Sequence, residues 1–145
     1  MKSEIEILLV EDNPHDAELA LLTLRHRHLA NRIVHVDDGQ KALDWLHGTA
    51  KTSGCHPKVV LLDLKMPKVG GLEVLRAIRA DARTATLPVV VMTSSAEDRD
   101  VGEAYQLGAN SYVVKPLDFD RFSSAVAELG KYWLLVNREP VAEHA

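Results

Sequence analysis

The sequence predicts an α/β domain in which helices cover both faces of a parallel sheet. Short apolar runs alternate along the chain with segments whose apolar residues recur at helical spacing. Because parallel strands are joined by crossover helices, this alternation is typical of a parallel sheet. The predicted strands are Ile5–Val10, Arg32–Val36, Lys58–Leu62, Pro88–Met92 and Ser111–Val114.

The segments between and after these strands predict five helices. Pro14 suits the first turn of the first helix, and Ala17, Leu21 and Leu24 give that helix an apolar stripe. The other helices are predicted at Gln40–Leu46, at Leu72–Ile78, at Ala96–Leu107, which Gly108 ends, and from Phe119 to about Val136.

Length and charge narrow the class of protein. The chain has 145 residues, enough for one core, so we expect a single domain over residues 1–137. Residues 138–145 are expected to be a frayed tail. The net charge is −4, which disfavours a nucleic-acid partner.

Cysteine content and hydropathy indicate a cytoplasmic protein that does not bind a membrane. Cys55 is the only cysteine, so no internal disulfide is expected and the cytosol is the natural compartment. No segment resembles a signal peptide. The apolar runs are far shorter than the roughly 20 residues that a membrane helix needs.

Polar residues of complementary type end four of the predicted strands. Glu11 and Asp12 follow the first strand, Asp63 follows the third, Thr93 the fourth and Lys115 the fifth. Because the carboxyl ends of parallel strands line one crevice, we expect these side chains to converge. An ionisable side chain after a buried strand is costly to desolvate, which indicates a functional role for Asp63.

This set of side chains suits phosphoryl transfer. Glu11, Asp12 and Asp63 would repel one another, and a divalent cation would remove the conflict; oxygen ligands favour Mg²⁺ (or Mn²⁺). A carboxylate is able to act as the nucleophile and form an aspartyl-phosphate. Lys115 offers a cation to one phosphoryl oxygen, and Thr93 offers a hydroxyl to another.

Four motifs follow the strands in order. They are Val10-Glu11-Asp12-Asn13, Leu62-Asp63-Leu64-Lys65-Met66-Pro67 with Gly71, Val91-Met92-Thr93-Ser94, and Tyr112-Val113-Val114-Lys115-Pro116. In this order and spacing they are highly specific, and the chain resembles a response-regulator receiver domain of the CheY-like superfamily from about Glu4 to Gly130. One departure is Gly70, where many receivers carry Asp.

The resemblance implies a flavodoxin-like (βα)5 fold with strand order 2-1-3-4-5. It implies that Asp63 accepts phosphate from a partner histidine kinase, so that the protein catalyses only its own phosphorylation and dephosphorylation. The implied metal site comprises Asp12, Asp63, the backbone carbonyl of Lys65 and, through water, Glu11. The implied phosphate-binding and switch residues are Thr93, Tyr112 and Lys115, with Ser94 supporting, and a cis peptide is implied before Pro116.

A narrower resemblance is to the small single-domain response regulators that pair with bacterial and cyanobacterial phytochromes. It rests on Glu11-Asp12-Asn13-Pro14 with Asp16 and Glu18, on the long connection after the second helix, and on Lys131–Val136. It implies a phytochrome as the kinase. The downstream partner is unknown, and the signal would pass by protein contact.

Two positions that tune phosphoryl lifetime in this family are Lys65 and Ser95 here. Neither side chain is acidic or an amide, so neither is suited to orient an attacking water. We therefore expect slow self-dephosphorylation, and a half-life of seconds would count against this hypothesis.

The final helix carries two apolar stripes. Phe119, Phe122, Val126, Leu129, Trp133 and Val136 are predicted to face the sheet. Tyr132 and Leu135 lie on an adjacent face, and with Phe119 and Trp133 they are the candidate interface of a homodimer that uses the fourth helix, fifth strand and fifth helix. This element begins at about residue 118.

Three other classes of protein share part of the pattern. A flavodoxin would have a glycine- and hydroxyl-rich loop in place of Glu11–Pro14. A phosphatase of the haloacid-dehalogenase type needs a second carboxylate where this chain has Lys65. A phosphate-independent scaffold would be expected to lose Asp63 or Lys115. A phosphorelay intermediate, which passes phosphate to a second histidine protein, remains compatible with the sequence.

Overall fold

The computed structural model describes residues 5–49 and 56–140. Five parallel strands form one sheet in the order β2-β1-β3-β4-β5. The parallel sheet is the one that the sequence patterns predicted, and the flavodoxin-like strand order is the one that the family resemblance implied. The strands are β1 (Ile7–Val10), β2 (Ile33–Val36), β3 (Val59–Leu62), β4 (Val89–Thr93) and β5 (Ser111–Val114).

Helices follow the strands as predicted. They are α1 (Pro14–His26), α2 (Gly39–Asp44), α3 (Gly71–Ala80), α4 (Asp98–Gln106) and α5 (Phe119–Gly130). Turns of π-helix continue two of them, Trp45–Thr49 after α2 and Lys131–Val136 after α5. None of the helices in the described ranges has the length and apolar content needed to cross a membrane.

The sheet separates two apolar layers because successive side chains on a strand point to opposite faces. Ile7 and Leu9 of β1 pack with α1 and α5, whereas Leu8 and Val10 pack with α2, α3 and α4. All residues of β1, β3 and β4 are buried, and the edge strands β2 and β5 are mostly half-buried. The central strands therefore read as continuous apolar runs in the sequence.

The fourth helix begins two residues later than predicted, at Asp98. Ser95 accounts for the delay: its hydroxyl accepts a hydrogen bond from the backbone N–H of Glu97, and its carbonyl accepts one from the Tyr112 hydroxyl. The polar groups of Ser95 are therefore used in hydrogen bonds that do not belong to a helix, and these bonds compete with an earlier start of α4.

The last helix buries a different set of residues from the predicted stripe. Phe119 and Val136 were expected to face the sheet, but they are 66% and 69% exposed, whereas Leu134 is buried. For Leu134 and Val136 the π-helical turn is the reason: its wider hydrogen bonds, such as the one from the N–H of Asn137 to the carbonyl of Tyr132, rotate these residues relative to α-helical spacing. Phe119 is the first residue of α5 and precedes this turn. The predicted tail beyond residue 140, and Cys55, lie outside the described residues.

Arg79 connects α3 to the amino-terminal edge of the sheet. Its guanidinium donates hydrogen bonds to the carbonyls of Ala85, Leu87 and Gly108 and to Oδ1 of Asn110, at 2.7–3.1 Å. Gly108 has a φ of 102°, a backbone conformation that favours glycine. One planar side chain therefore holds together the segments that enter β4 and β5.

Replacement of Arg79 by Met should lower the free energy of unfolding by roughly 2–3 kcal/mol, because several carbonyls lose a charged donor. The measurement is equilibrium unfolding in urea. Arg76→Met is the matched control, since Arg76 is an exposed residue of the same helix and should change stability by less than about 0.5 kcal/mol. Equal losses in the two variants would contradict the proposed role of Arg79.

Candidate functional site at the carboxyl edge of the sheet

The predicted strand-end residues meet at one edge of the sheet. Because β1 pairs directly with β3, and β3 with β4, the residues that follow these strands become neighbours. Glu11, Asp63 and Thr93 are buried there, at 5%, 7% and 0% exposure, whereas Asp12 is exposed. The side chain of Lys115 is 9% exposed.

The ammonium of Lys115 pairs with three carboxylates. Its Nζ atom lies 2.5 Å from Oε1 of Glu11, 2.9 Å from Oδ2 of Asp16 and 3.1 Å from Oδ2 of Asp63. Asp16 was not among the predicted site residues. The signal that could have revealed it is Asn13-Pro14, which starts α1 directly after β1 and so brings the first turn of the helix to the strand ends.

Burial, hydrogen bonds and charges at the site shift the pKa values of two groups. Burial raises the pKa of Glu11 to about 7, the charge of Asp63 adds to this rise, and Lys115 opposes it. Burial by itself would lower the pKa of Lys115, but its hydrogen bonds to Glu11 and Asp16 and the charge of Asp63 raise that pKa above its usual value. The lysine therefore stays positively charged despite its burial.

The acidic side chains form a donor set that fits a divalent cation. Glu11, Asp12 and Asp63 each place a carboxylate oxygen within 4.8 Å of the others. Hard oxygen donors of this kind suit Mg²⁺ or Mn²⁺. The backbone N–H of Lys65 lies 3.4 Å from Oδ1 of Asp63, so the loop after β3 turns back toward the carboxylate.

Gly71 fixes the course of this loop. Its N–H donates to the carbonyl of Leu64 at 2.9 Å, and a Cβ atom at this position would collide with the backbone of Asp63 and Leu64. Glycine is thus required by the close approach of α3 to the backbone beside Asp63.

A cleft of about 500 Å³ opens above these groups. Its lining residues come from the ends of β1, β3, β4 and β5 and from the start of α1: Asp12, Asn13, Asp16, Asp63, Lys65, Ser94, Lys115, Pro116 and Leu117. Both acidic and basic groups face it, so it is suited to a small, highly charged group that is bound together with a cation.

The hydroxyl of Thr93 is fully buried at the end of β4 and has no hydrogen-bond partner among the described residues. A buried hydroxyl without a partner is unfavourable, which marks it as a group available to a ligand. Ser94, next in the chain, is exposed and lines the cleft.

The segment after Thr93 is tied to α4 and β5. The Ser95 hydroxyl donates to Oδ2 of Asp100 at 2.5 Å, and the Tyr112 hydroxyl donates to the carbonyl of Ser95 at 2.8 Å. The structure thus brings Tyr112 into contact with the predicted lifetime-tuning residue Ser95, whose hydroxyl already has a partner.

One expectation for this site is wrong. The described residues contain no cis peptide bond, so the bond between Lys115 and Pro116 is trans. The trans form of such a bond is favoured by about 0.5–1 kcal/mol before any tertiary contact acts on it.

The candidate dimer residues on α5 and its π-helical turn are mostly exposed. Phe119 is 66%, Tyr132 48% and Leu135 70% exposed. Trp133 differs, because it packs partly against the core and contacts the Tyr132 ring edge-on, with ring centroids 5.0 Å apart.

Fold and site together define a receiver domain. The family model for the response regulator receiver domain matches residues 7–127, and the chain belongs to this family. Proteins of the family act in two-component signalling, in which histidine kinases supply the phosphate, and they are signalling proteins that bind a divalent metal.

Particular relatives cover almost the whole chain. A probable methanogenesis regulatory protein, FilR2 of Methanothrix harundinacea, is 42% identical over 92% of this chain and 86% of its own length. The structure of the phosphorylated cyanobacterial phytochrome response regulator RcpA has a TM-score of 0.87 and 32% identity, covering 96% of this chain and 100% of that one.

A third relative is Rcp1 of Synechocystis, a response regulator 31% identical over 94% of this chain and 93% of its own length. The structure of its Mn²⁺-bound form has a TM-score of 0.86 and 32% identity, covering 94% of this chain and 99% of that one. The predicted family resemblance, including the likeness to phytochrome response regulators, is confirmed.

Replacement of Thr93 by Val should raise the free energy of unfolding of the unphosphorylated protein by roughly 1 kcal/mol, because it removes a buried hydroxyl without a partner. Thr84→Val is the matched control: the Thr84 hydroxyl is equally buried but donates to the carbonyl of Ile78 at 2.7 Å. That variant should lose stability. If denaturant unfolding shows the same loss in both, the Thr93 hydroxyl already has a partner.

Proposed function

We propose that this protein is a response regulator that accepts a phosphoryl group on Asp63 from a sensor histidine kinase. The observation that carries the proposal is the arrangement around Asp63: a metal-compatible acidic cluster, the Lys115 ammonium at 3.1 Å and the unpartnered hydroxyl of Thr93. These are the nucleophile, the cation and the donor that phosphoryl transfer requires.

In the transfer step a carboxylate oxygen of Asp63 attacks phosphorus. The new bond is the P–O bond of an aspartyl-phosphate, and the P–N bond to the kinase histidine breaks. Its electron pair goes to the ring nitrogen, and the imidazole takes up a proton. With acetyl phosphate as donor, a P–O bond breaks instead and acetate leaves.

Residues at the ends of β4 and β5 bind the transferred group. Lys115 neutralises one phosphoryl oxygen, and the hydroxyl of Thr93 donates to another, with Ser94 supporting. The groups that would hold Mg²⁺ or Mn²⁺ are the carboxylates of Asp12 and Asp63, the backbone carbonyl of Lys65 and, through water, Glu11. When bound, the ion neutralises carboxylate and phosphoryl oxygens and so lowers the repulsion between them.

Phosphorylation then changes the surface formed by α4, β5 and α5. The phosphoryl group adds about −1.5 to −2 charge at Asp63 and attracts the Thr93 hydroxyl. Ser95 lies two residues further on and is bonded to both Asp100 and Tyr112, so a shift of this segment moves α4 and the Tyr112 ring together. A downstream protein that prefers the shifted surface receives the signal by contact.

A phytochrome is the kinase that we propose. The proposal rests on the likeness to the cyanobacterial phytochrome response regulator RcpA, which extends over 96% of this chain.

We also propose that the phosphoryl group is long-lived. Neither Lys65 nor Ser95 is suited to orient a water for attack on the phosphoryl group, since the Ser95 hydroxyl is already bonded to Asp100.

Incubation with acetyl phosphate and Mg²⁺ should add the mass of one phosphoryl group. Intact mass spectrometry is the measurement, and the gain should vanish in Asp63→Asn and on removal of Mg²⁺. Absence of any gain in the wild-type protein would instead favour a phosphate-independent scaffold.

After removal of the donor the added mass should persist beyond seconds; its loss within seconds would refute slow self-dephosphorylation.

We also propose that the protein forms a homodimer through the α4-β5-α5 surface. Among the described residues, the large apolar side chains with high exposure come mostly from α4, β5, α5 and the segments that adjoin β5 and α5: Tyr105, Val114, Leu117, Phe119, Tyr132, Leu135 and Val136, with Leu22 of α1 as the exception. Exposed apolar residues gathered on neighbouring elements are typical of an interface.

Replacement of Leu135 by Glu should convert the dimer to a monomer in analytical ultracentrifugation, because it buries a charge in the interface. Leu22→Glu is the matched control, since Leu22 is also exposed but lies on α1, and it should remain dimeric. A monomeric wild-type protein, or a dimeric Leu135→Glu variant, would refute the proposed interface.

A further inference from the structure

Asp16 supplies a fourth carboxylate to the site, and the proposed mechanism gives it no role. Its Oδ2 atom lies 2.9 Å from Nζ of Lys115, and its side chain is 31% exposed at the wall of the cleft. Asp16 therefore contacts the same ammonium group, that of Lys115, that would bind a phosphoryl oxygen.

The position of Asp16 is fixed by the start of α1. Oδ1 of Asn13 accepts hydrogen bonds from the backbone N–H groups of His15 and Asp16, at 2.9 and 3.1 Å, and Pro14 sets the first helical residue. Asp16 therefore lies in a capped first turn, and its backbone is held in place beside the strand ends.

An ammonium group has three N–H donors, and the three carboxylates around Lys115 match that number. Charge-assisted bonds of this kind are usually about 2.7–2.9 Å long. The distance to Asp16 lies in this range, whereas the distance to Asp63 is longer, at 3.1 Å. Asp16 and Glu11 thus hold the ammonium more closely than the nucleophile does.

We propose that Asp16 is a positioning residue that competes with the phosphoryl group for Lys115 and thereby slows phosphorylation of Asp63. This inference rests on the proposed phosphoryl transfer to Asp63. During transfer, the Lys115 donor that faces Asp16 is not available to a phosphoryl oxygen. The carboxylate of Asp16 also adds negative charge to a cleft that must admit an anionic donor.

Asp16 is the partner that Lys115 gives up most readily. Its side chain is 31% exposed, against 6% for Glu11 and 8% for Asp63. Water is therefore able to hydrate the Asp16 carboxylate when Lys115 moves away, so of the three ion pairs this one costs the least free energy to separate. The Asp16–Lys115 pair therefore sets how freely the ammonium follows the incoming group.

The test is the second-order rate constant for phosphorylation by acetyl phosphate with saturating Mg²⁺, followed by intact mass. Asp16→Asn removes the charge and keeps the shape, and it should react roughly three- to tenfold faster. The gain should shrink as ionic strength rises, because a cleft open to water is screened by salt.

Two further variants separate positioning from a structural role. Asp16→Glu restores the charge and should stay close to the wild-type rate. Glu18→Gln makes the same charge change at an exposed position of the same helix and should also leave the rate unchanged. If Asp16 acted only through the packing of α1, Asp16→Glu would be as altered as Asp16→Asn, and the inference would be wrong.

The failure of this inference differs from the failure of the proposed function. Phosphorylation of the wild-type protein at Asp63, with Asp16→Asn reacting at the same rate or more slowly, overturns the role of Asp16 alone. No phosphorylation of either protein overturns the proposed function and this inference with it.

Discussion

The acidic edge of the sheet depends on one ammonium group. Parallel pairing places the ends of β1 and β3 side by side, so Glu11 and Asp63 are buried close together. Two such carboxylates lose hydration and repel each other. The Nζ atom of Lys115 contacts both and compensates part of this cost. An apolar pair at these positions would commonly be as stable or more stable, so the ionic arrangement is best understood as a feature kept for its chemistry.

The same edge is connected to the surface through β4. Thr93 is buried at the site, and two residues later Ser95 is hydrogen-bonded to α4 through Asp100 and to β5 through Tyr112. Because the Thr93 hydroxyl has no hydrogen-bond partner among the described residues, it is available to donate a hydrogen bond to a ligand at the site. Hydrogen bonds thus link the segment after Thr93 to α4 and β5, which carry the exposed apolar side chains of Tyr105 and Val114.

Several parts of the fold follow from local patterns in the sequence. The buried strands could be predicted because runs such as Val59–Leu62 are apolar on both faces, and the layers of helices follow from the alternation of strands with helical segments. The ends of elements were less predictable. The start of α4 depends on a hydrogen bond that the Ser95 carbonyl accepts from the distant Tyr112 hydroxyl, and the burial of Leu134 depends on a π-helical turn that shifts the helical phase.

For the site, the identity of the strand-end residues could be inferred from the sequence, because a parallel sheet sends the carboxyl ends of its strands to one edge whatever the side chains are. Which atoms pair there could not. Lys115 has a long, flexible side chain. Its pairing with Glu11, Asp16 and Asp63 depends on distances between elements that are up to 104 positions apart in the chain. The contact of Asp16 with Lys115 and the lack of a partner for Thr93 among the described residues are consequences of packing, since both depend on how α1, β4 and β5 meet in space.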